Sequence, residues 1–222
     1  TGYQFQYGSG TTIQQCNFTL ISLKVIVLCS GRTGSTTLYQ ACQYIDNFTV
    51  GHESQVERLG AERFHFPNQH IEIDNRLIWQ LGSLEQHIGD QAMYVHLTRE
   101  RSAVKQSFIN RLYQPKSIFY SYCESIKKST PENLSSDEIA DLADDFLYSI
   151  DANIRYFLKD KTHQIGFHVE NYQQDFAQLW KFINAKGDFE KALAEWSKKH
   201  NSSKKTKTNF RYDLKRMIKR YL

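Results

Sequence analysis

The apolar run Val25-Ile26-Val27-Leu28-Cys29 passes directly into Ser30-Gly31-Arg32-Thr33-Gly34-Ser35-Thr36-Thr37-Leu38, and this stretch limits the possible folds more than any other. An unbroken apolar segment rich in β-branched residues predicts a strand buried on both faces of a parallel sheet. The polar turn that follows is tight, and its glycines let the main chain approach a ligand closely. Ser35, Thr36 and Thr37 then open an amphipathic helix whose apolar positions Leu38, Ala41, Cys42 and Ile45 face back toward the sheet. Strand, glycine turn and hydroxyl-rich helix start together predict an anion cradle. The N–H groups of the helix N-terminus, its dipole, the hydroxyls and the Arg32 cation all favour a phosphate or sulfate there.

Loop spacing narrows the choice. A nucleotide triphosphatase loop reads G-x-x-x-x-G-K-S/T, whereas here no Lys follows Gly34 and the first glycine lies too close to the second. The string Arg32-Thr33-Gly34-Ser35-Thr36-Thr37 instead resembles the 5′-phosphosulfate loop of sulfotransferases that use 3′-phosphoadenosine-5′-phosphosulfate (PAPS). In that family Lys or Arg precedes an S/T-G-S/T-S/T turn. The alternative is an ordinary strand-to-helix turn, which a second match elsewhere in the chain would argue against.

That second match lies on the next long strand–helix unit. Met93-Tyr94-Val95-His96-Leu97 reads as a buried strand, and Ala103, Val104, Phe108 and Leu112 mark the helix after it. Arg99, just past the strand, and Ser107, on the helix, resemble the family's 3′-phosphate element in residue type and spacing. An Arg offers a fork of donors to a phosphate and a helical Ser adds a hydroxyl. The alternative for Arg99 is a surface ion pair with Glu100 or Asp90. A C-terminal basic stretch resembles the loop that closes over the 3′-phosphate in this family, which makes Lys204 and Lys205 candidate contacts. The R-K-G sequence of the cytosolic enzymes is absent from it.

Length and composition set the frame. At 222 residues the chain suits a single domain over 1–222, since two domains would each be small. Within it, residues 1–23 read as an extension or edge strand and 198–222 as a basic loop and helix. A hydrophobic fraction of 40% with 14% aromatics argues against disorder. No apolar run approaches the ~20 residues that span a bilayer, so no transmembrane segment is expected. Cys16, Cys29, Cys42 and Cys123 lack the paired spacing of zinc or redox sites, which suits a reducing, cytoplasmic setting. Four N-x-S/T sequons, at Asn17, Asn47, Asn133 and Asn201, would matter only in a secreted protein. The net charge of +4 is uneven: residues 198–222 hold ten Lys or Arg against Asp213. Such a run is either a solvated helix face or a patch for an anionic cofactor or acceptor. No helix-turn-helix, RNA-motif or zinc spacing accompanies it, so nucleic acid is not an expected partner.

The remaining segments fill in an α/β chain. Asn47 to Gly51 reads as a short strand ending at His52-Glu53-Ser54, which places Glu53 where open α/β sheets bind ligands. Gln55 to Asp74 reads as an irregular, substrate-loop-like segment carrying His65 and His70, followed by a helix from Asn75 to Ile88. Another helix is expected over Tyr113–Lys128. Ser135 with Glu138 forms a capping box ahead of a long amphipathic helix. Gln164 to Val169 is a late strand, with Asn171 capping the next helix in an arrangement weakly similar to the family's Y-E-D-L segment.

Together these features predict a three-layer α/β/α sandwich on a mostly parallel, P-loop-like sheet. The resemblance implies transfer of a sulfuryl group from PAPS to an acceptor hydroxyl or amine, with 3′-phosphoadenosine-5′-phosphate (PAP) as product and no metal. It implies contacts to the cofactor from Arg32 to Thr37, Arg99, Ser107, Lys204 and Lys205. Arg32 stabilises charge on the transferring group. As base the order is Glu53, His52, then His70 or His65, because several bacterial and glycan-modifying members carry a Glu there. An anionic glycan hydroxyl is one acceptor, and small molecules, lipids and peptides remain open, as does the oligomeric state. The rival classes are a P-loop nucleotide or nucleoside kinase, which would need Mg²⁺ and ATP, and a non-catalytic nucleotide-binding module.

Overall fold

The computed structural model describes residues 23–198. Among them five strands form one sheet in the order β2-β3-β1-β4-β5, with every adjacent pair parallel. The strands are β1 (Lys24–Leu28), β2 (Thr49–His52), β3 (His70–Ile73), β4 (Ala92–Thr98) and β5 (Gln164–His168). β1 is central because it is apolar on both sides, and Val25 to Leu28 are fully buried.

Each face of the sheet carries its own core. Ile26, Leu28 and Tyr94 pack under a helical layer that holds α2 (Leu81–His87), α3 (Arg101–Ile109), α4 (Ile118–Ser121) and α5 (Ser136–Leu158). Val25, Val27, Val95 and Phe167 pack under α1 (Ser35–Cys42), α6 (Tyr172–Phe182) and α7 (Phe189–Ala194). The expected α/β/α layering is therefore present. α5 starts at the capping box read from the sequence: Glu138 N donates to Ser135 Oγ at 3.2 Å and Ser135 N to Glu138 Oε2 at 2.7 Å.

Several expectations change. Segment 55–74 is not irregular throughout, because His70–Ile73 is β3, sandwiched between β2 and β1. His70 and Glu72 alternate with Ile71 and Ile73, and both polar side chains are buried. They are tolerated there because they hydrogen-bond to each other and to neighbours. The helix expected from Asn75 is delayed: Trp79 N and Gln80 N bond back three residues, giving a 3₁₀ turn before α2. Tyr113–Lys128 is also not one helix. Pro115 and the left-handed Lys116 (φ 61°) break it, leaving short α4 and a π-helical turn over Tyr122–Ile126. Asn171 precedes α6 without a side-chain capping bond. The extension or edge strand read over residues 1–23 lies, apart from Leu23, outside the described residues, as do Lys204 and Lys205. Among the described residues no helix is long and apolar enough to cross a membrane.

Candidate active site

The turn after β1 is held open by left-handed backbone. Gly31, Arg32 and Gly34 have φ of 81°, 62° and 85°. For Arg32 this conformation costs about 1–3 kcal/mol, an outlier of the kind that clusters at ligand clamps. Gly34 is the N-cap of α1, so Ser35, Thr36 and Thr37 occupy its first turn, as the sequence predicts. A side chain at Gly34 would press on Val169, at 3.2 Å, so the turn is also packed against the segment following β5. Cys29 closes the underside of this turn. Burial pushes its thiol up to about 11 despite the Thr33 hydroxyl and the Gly31 amide, so it is a protonated plug and not a nucleophile.

Three guanidiniums meet beside this turn. Arg32 Nε donates to Ser107 Oγ at 3.0 Å, and Arg99 Nη1 donates to the Arg32 carbonyl at 3.4 Å. The sequence assigned Arg32 and Ser107 to opposite ends of one nucleotide, whereas the structure makes them hydrogen-bonding neighbours. Burial, then Arg111, then Arg99 lower the pKa of Arg32. Charges of one sign gathered this way favour an anion between them. Arg111 was not singled out from the sequence. The signal was its position four residues past Ser107, on the same side of α3 and its C-terminal turn. The acids suggested as surface partners of Arg99 make their hydrogen bonds elsewhere, although Arg99, after the Ser102 and Ala103 donors, helps hold the Glu100 carboxyl low. Glu100 caps α3 by accepting from Ala103 N at 2.9 Å, and Asp90 accepts from Thr162 N at 2.8 Å.

Across β1, the ends of β2 and β3 form an acidic rim. Glu53 follows β2 in a left-handed conformation (φ 54°), and its N–H is held by Ile73 O at 3.1 Å. Its carboxylate accepts from Asn75 Nδ2 at 2.8 Å and pairs with Arg76. Asn75 also lies against Gly31, where an added methyl would sit 3.4 Å from Asn75 Cγ. Glu53 is thus one side chain removed from the cradle turn, as its position after the strand predicts. His52 Nε2 lies 3.4 Å from Ser35 Oγ, which puts it at the start of α1. The other two histidines are placed elsewhere. His70 is buried between Thr49 and Glu72, and His65 is exposed beside Glu62. Their expected role as reserve bases is corrected: β3 turns His70 into the core, and the exposed His65 is engaged with Glu62. Behind the rim Arg63 pairs with the fully buried Asp74, whose Oδ1 accepts from Arg76 N at 2.7 Å. Burial raises the Asp74 pKa, with Arg63 and the Arg76 amide opposing it.

Beside the cradle a cleft of about 440 Å³ runs from Ser30 and Thr33 past Thr98 and Arg99 to Leu147, Ile150 and His168. Its size suits a nucleotide-sized ligand. His96 opens into it, and burial lowers its pKa, partly opposed by Asp151.

No family model matches the chain, and no curated protein matches it in sequence. In three dimensions it is similar to the sulfotransferase domain from the curacin biosynthetic pathway, with a TM-score of 0.54 and 14% identity over 82% of this chain and 79% of that one. It is also similar to the mouse sulfotransferase SULT7A1 complexed with PAP, with a TM-score of 0.53 and 12% identity over 82% of this chain and 68% of that one. The fold is therefore that of sulfotransferases, an α/β, P-loop-like architecture.

Proposed function

We propose that this protein transfers a sulfuryl group from PAPS to an acceptor hydroxyl or amine by in-line displacement. The observation that carries this reading is that Arg32, in the left-handed turn, bonds Ser107 while Arg99 bonds the Arg32 carbonyl and Arg111 acts on Arg32 electrostatically, on the fold of known sulfotransferases. The residues present fit an anionic nucleotide: a cradle at a helix N-terminus, three guanidiniums, a hydroxyl donor and an adjoining cleft. When bound, the donor supplies an activated sulfuryl group on a phosphate leaving group. The turn from Thr33 to Thr37 holds the 5′ end through N–H groups and hydroxyls. Arg32 neutralises charge that develops on the transferring oxygens. Arg99 and Ser107 take the 3′-phosphate, and Lys204 and Lys205 belong to the same reading. Glu53, oriented by Asn75 and Arg76, removes the acceptor proton, with His52 as the second choice. The setting is assigned as cytoplasmic, and the acceptor as a hydroxyl compound, with an anionic glycan favoured by the basic C-terminal segment.

The test is a thermal shift with PAP, with ADP and Mg²⁺ as the control arm. PAP at 100 times its Kd stabilises a single-site protein by about 2.7 kcal/mol. Metal-independent stabilisation by PAP, with none by ADP, is expected. Stabilisation only by ADP with Mg²⁺ would move the protein to the kinase class.

A further inference from the structure

The buried carboxylate of β3 is not used by the reaction as described, yet it is tied to the residue that follows the proposed base. Glu72 is fully buried. Its Oε1 accepts from Ser54 N at 2.8 Å and its Oε2 from Ser54 Oγ at 2.5 Å. His70 Nε2 lies 3.0 Å from Oε2, and His70 Nδ1 lies 2.8 Å from Thr49 Oγ1. Glu72 reaches Ser54 by crossing over Gly51, its register partner on β2, where any Cβ would collide with Oε2. The chain Thr49–His70–Glu72–Ser54 therefore ends on the far side of the left-handed turn at Glu53. Ile73 O holds the Glu53 N–H on the near side. Two consecutive amides of this turn are thus fixed by β3, one by main chain and one by a charged side chain.

We propose that Glu72 is a positioning residue for Glu53: through Ser54 it locks the turn that aims the Glu53 carboxylate at the cradle. This rests on the reading of Glu53 as the base. A carboxylate accepting a backbone N–H is a strong, directional clamp. Gly51 is the position that lets it pass. Burial alone would raise the Glu72 pKa, but His70 and both Ser54 donors outweigh it, so the clamp is ionised.

The test uses the full chain and PAPS with water as acceptor, so no acceptor need be known. The water oxygen bonds to sulfur and the bond from sulfur to the 5′-phosphate oxygen breaks. PAP leaves with the electron pair, and the water proton passes to Glu53. Glu72→Gln is expected to slow PAP release about 10-fold, with the thermal shift by PAP unchanged. In a Glu53→Gln background the same substitution is expected to add nothing, since it acts through Glu53. Ser54→Ala, which leaves Glu72 in place, is expected to give a smaller loss that is equally silent in that background. Wild-type rates in Glu72→Gln, or an undiminished loss without Glu53, overturn the inference. A Glu53→Gln protein as fast as wild type removes the base assignment and the inference together. Failure of the wild type to bind PAP removes the donor reading itself.

Discussion

The two sides of the turn after β1 solve opposite electrostatic problems. On the β1–β4 side Arg32, Arg99 and Arg111 crowd together, and burial with mutual repulsion lowers the Arg32 pKa. On the β2–β3 side the acids are matched within the chain: Glu53 with Arg76 and Asn75, Asp74 with Arg63, Glu72 with His70 and Ser54. On the cationic side the gathered guanidiniums attract an anion, whereas on the acidic side each carboxylate already has a cation or donor within the chain. Under the proposed function that division is useful. A site for a highly charged donor gains from positive charge gathered in one place, and a base gains by being fixed before the donor arrives.

Experiments can break this contrast, beginning with the acidic rim. Arg63→Ala leaves Asp74 buried without its cation and is expected to cost about 3–5 kcal/mol in chemical denaturation. A loss below 1 kcal/mol would show that the rim is not held by that pair. On the cationic rim, Arg32→Ala is expected to lower turnover by roughly 10²–10³ with the fold intact, the scale of losing one preorganised donor. Unimpaired turnover would remove Arg32 from the chemistry. Arg99→Ala is expected to weaken PAP binding by about 1.5–3 kcal/mol, the range for a hydrogen bond to a charged group, as measured by calorimetry. Equal loss of affinity for AMP, which lacks the 3′-phosphate, would reassign Arg99.

Smaller effects sharpen the comparison. Because the folded-state pKa of Glu72 is lowered, its stabilisation is present above the ordinary glutamate range and is lost as pH falls through the folded value. Asp74, with a raised pKa, acts in the opposite sense: it favours the fold in acid, an advantage lost as pH rises. Acid unfolding of Glu72→Gln is therefore expected to show a flatter slope than wild type, and an identical slope would mean Glu72 is not ionised in the fold. The smallest change is expected from Arg111→Gln in the ligand-free protein. Relief of repulsion at the partly exposed Arg32 is worth only a few tenths of a kcal/mol after solvent screening. The same substitution is expected to reduce the thermal gain from PAP. A fall in ligand-free stability would instead give Arg111 a structural role.

Much of the architecture is legible in the sequence, and the parts that are not share one cause. β1, β4 and α5 announce themselves by apolar periodicity, and the α5 cap by Ser135 with Glu138. β3 was missed because His70 and Glu72 stand where an apolar residue is expected. Their burial is possible only through hydrogen bonds to Ser54 and Thr49, which belong to another part of the chain. Arg111 went unnoticed for a related reason. Its meaning depends on Arg32, which is distant in sequence and was assigned to a separate pocket.

Local order in the residues determined that a buried strand ends in a glycine turn at a helix start, and that Arg99 and Ser107 follow a second such strand. Those features depend on neighbours in the chain, where backbone geometry and side-chain periodicity act directly. Only the folded chain decided that Arg32 meets Ser107, that Arg111 joins them, and that Glu72 reaches over Gly51 to hold the turn at Glu53. Charges and hydrogen bonds act across space, and the order of parallel strands sets which of them meet.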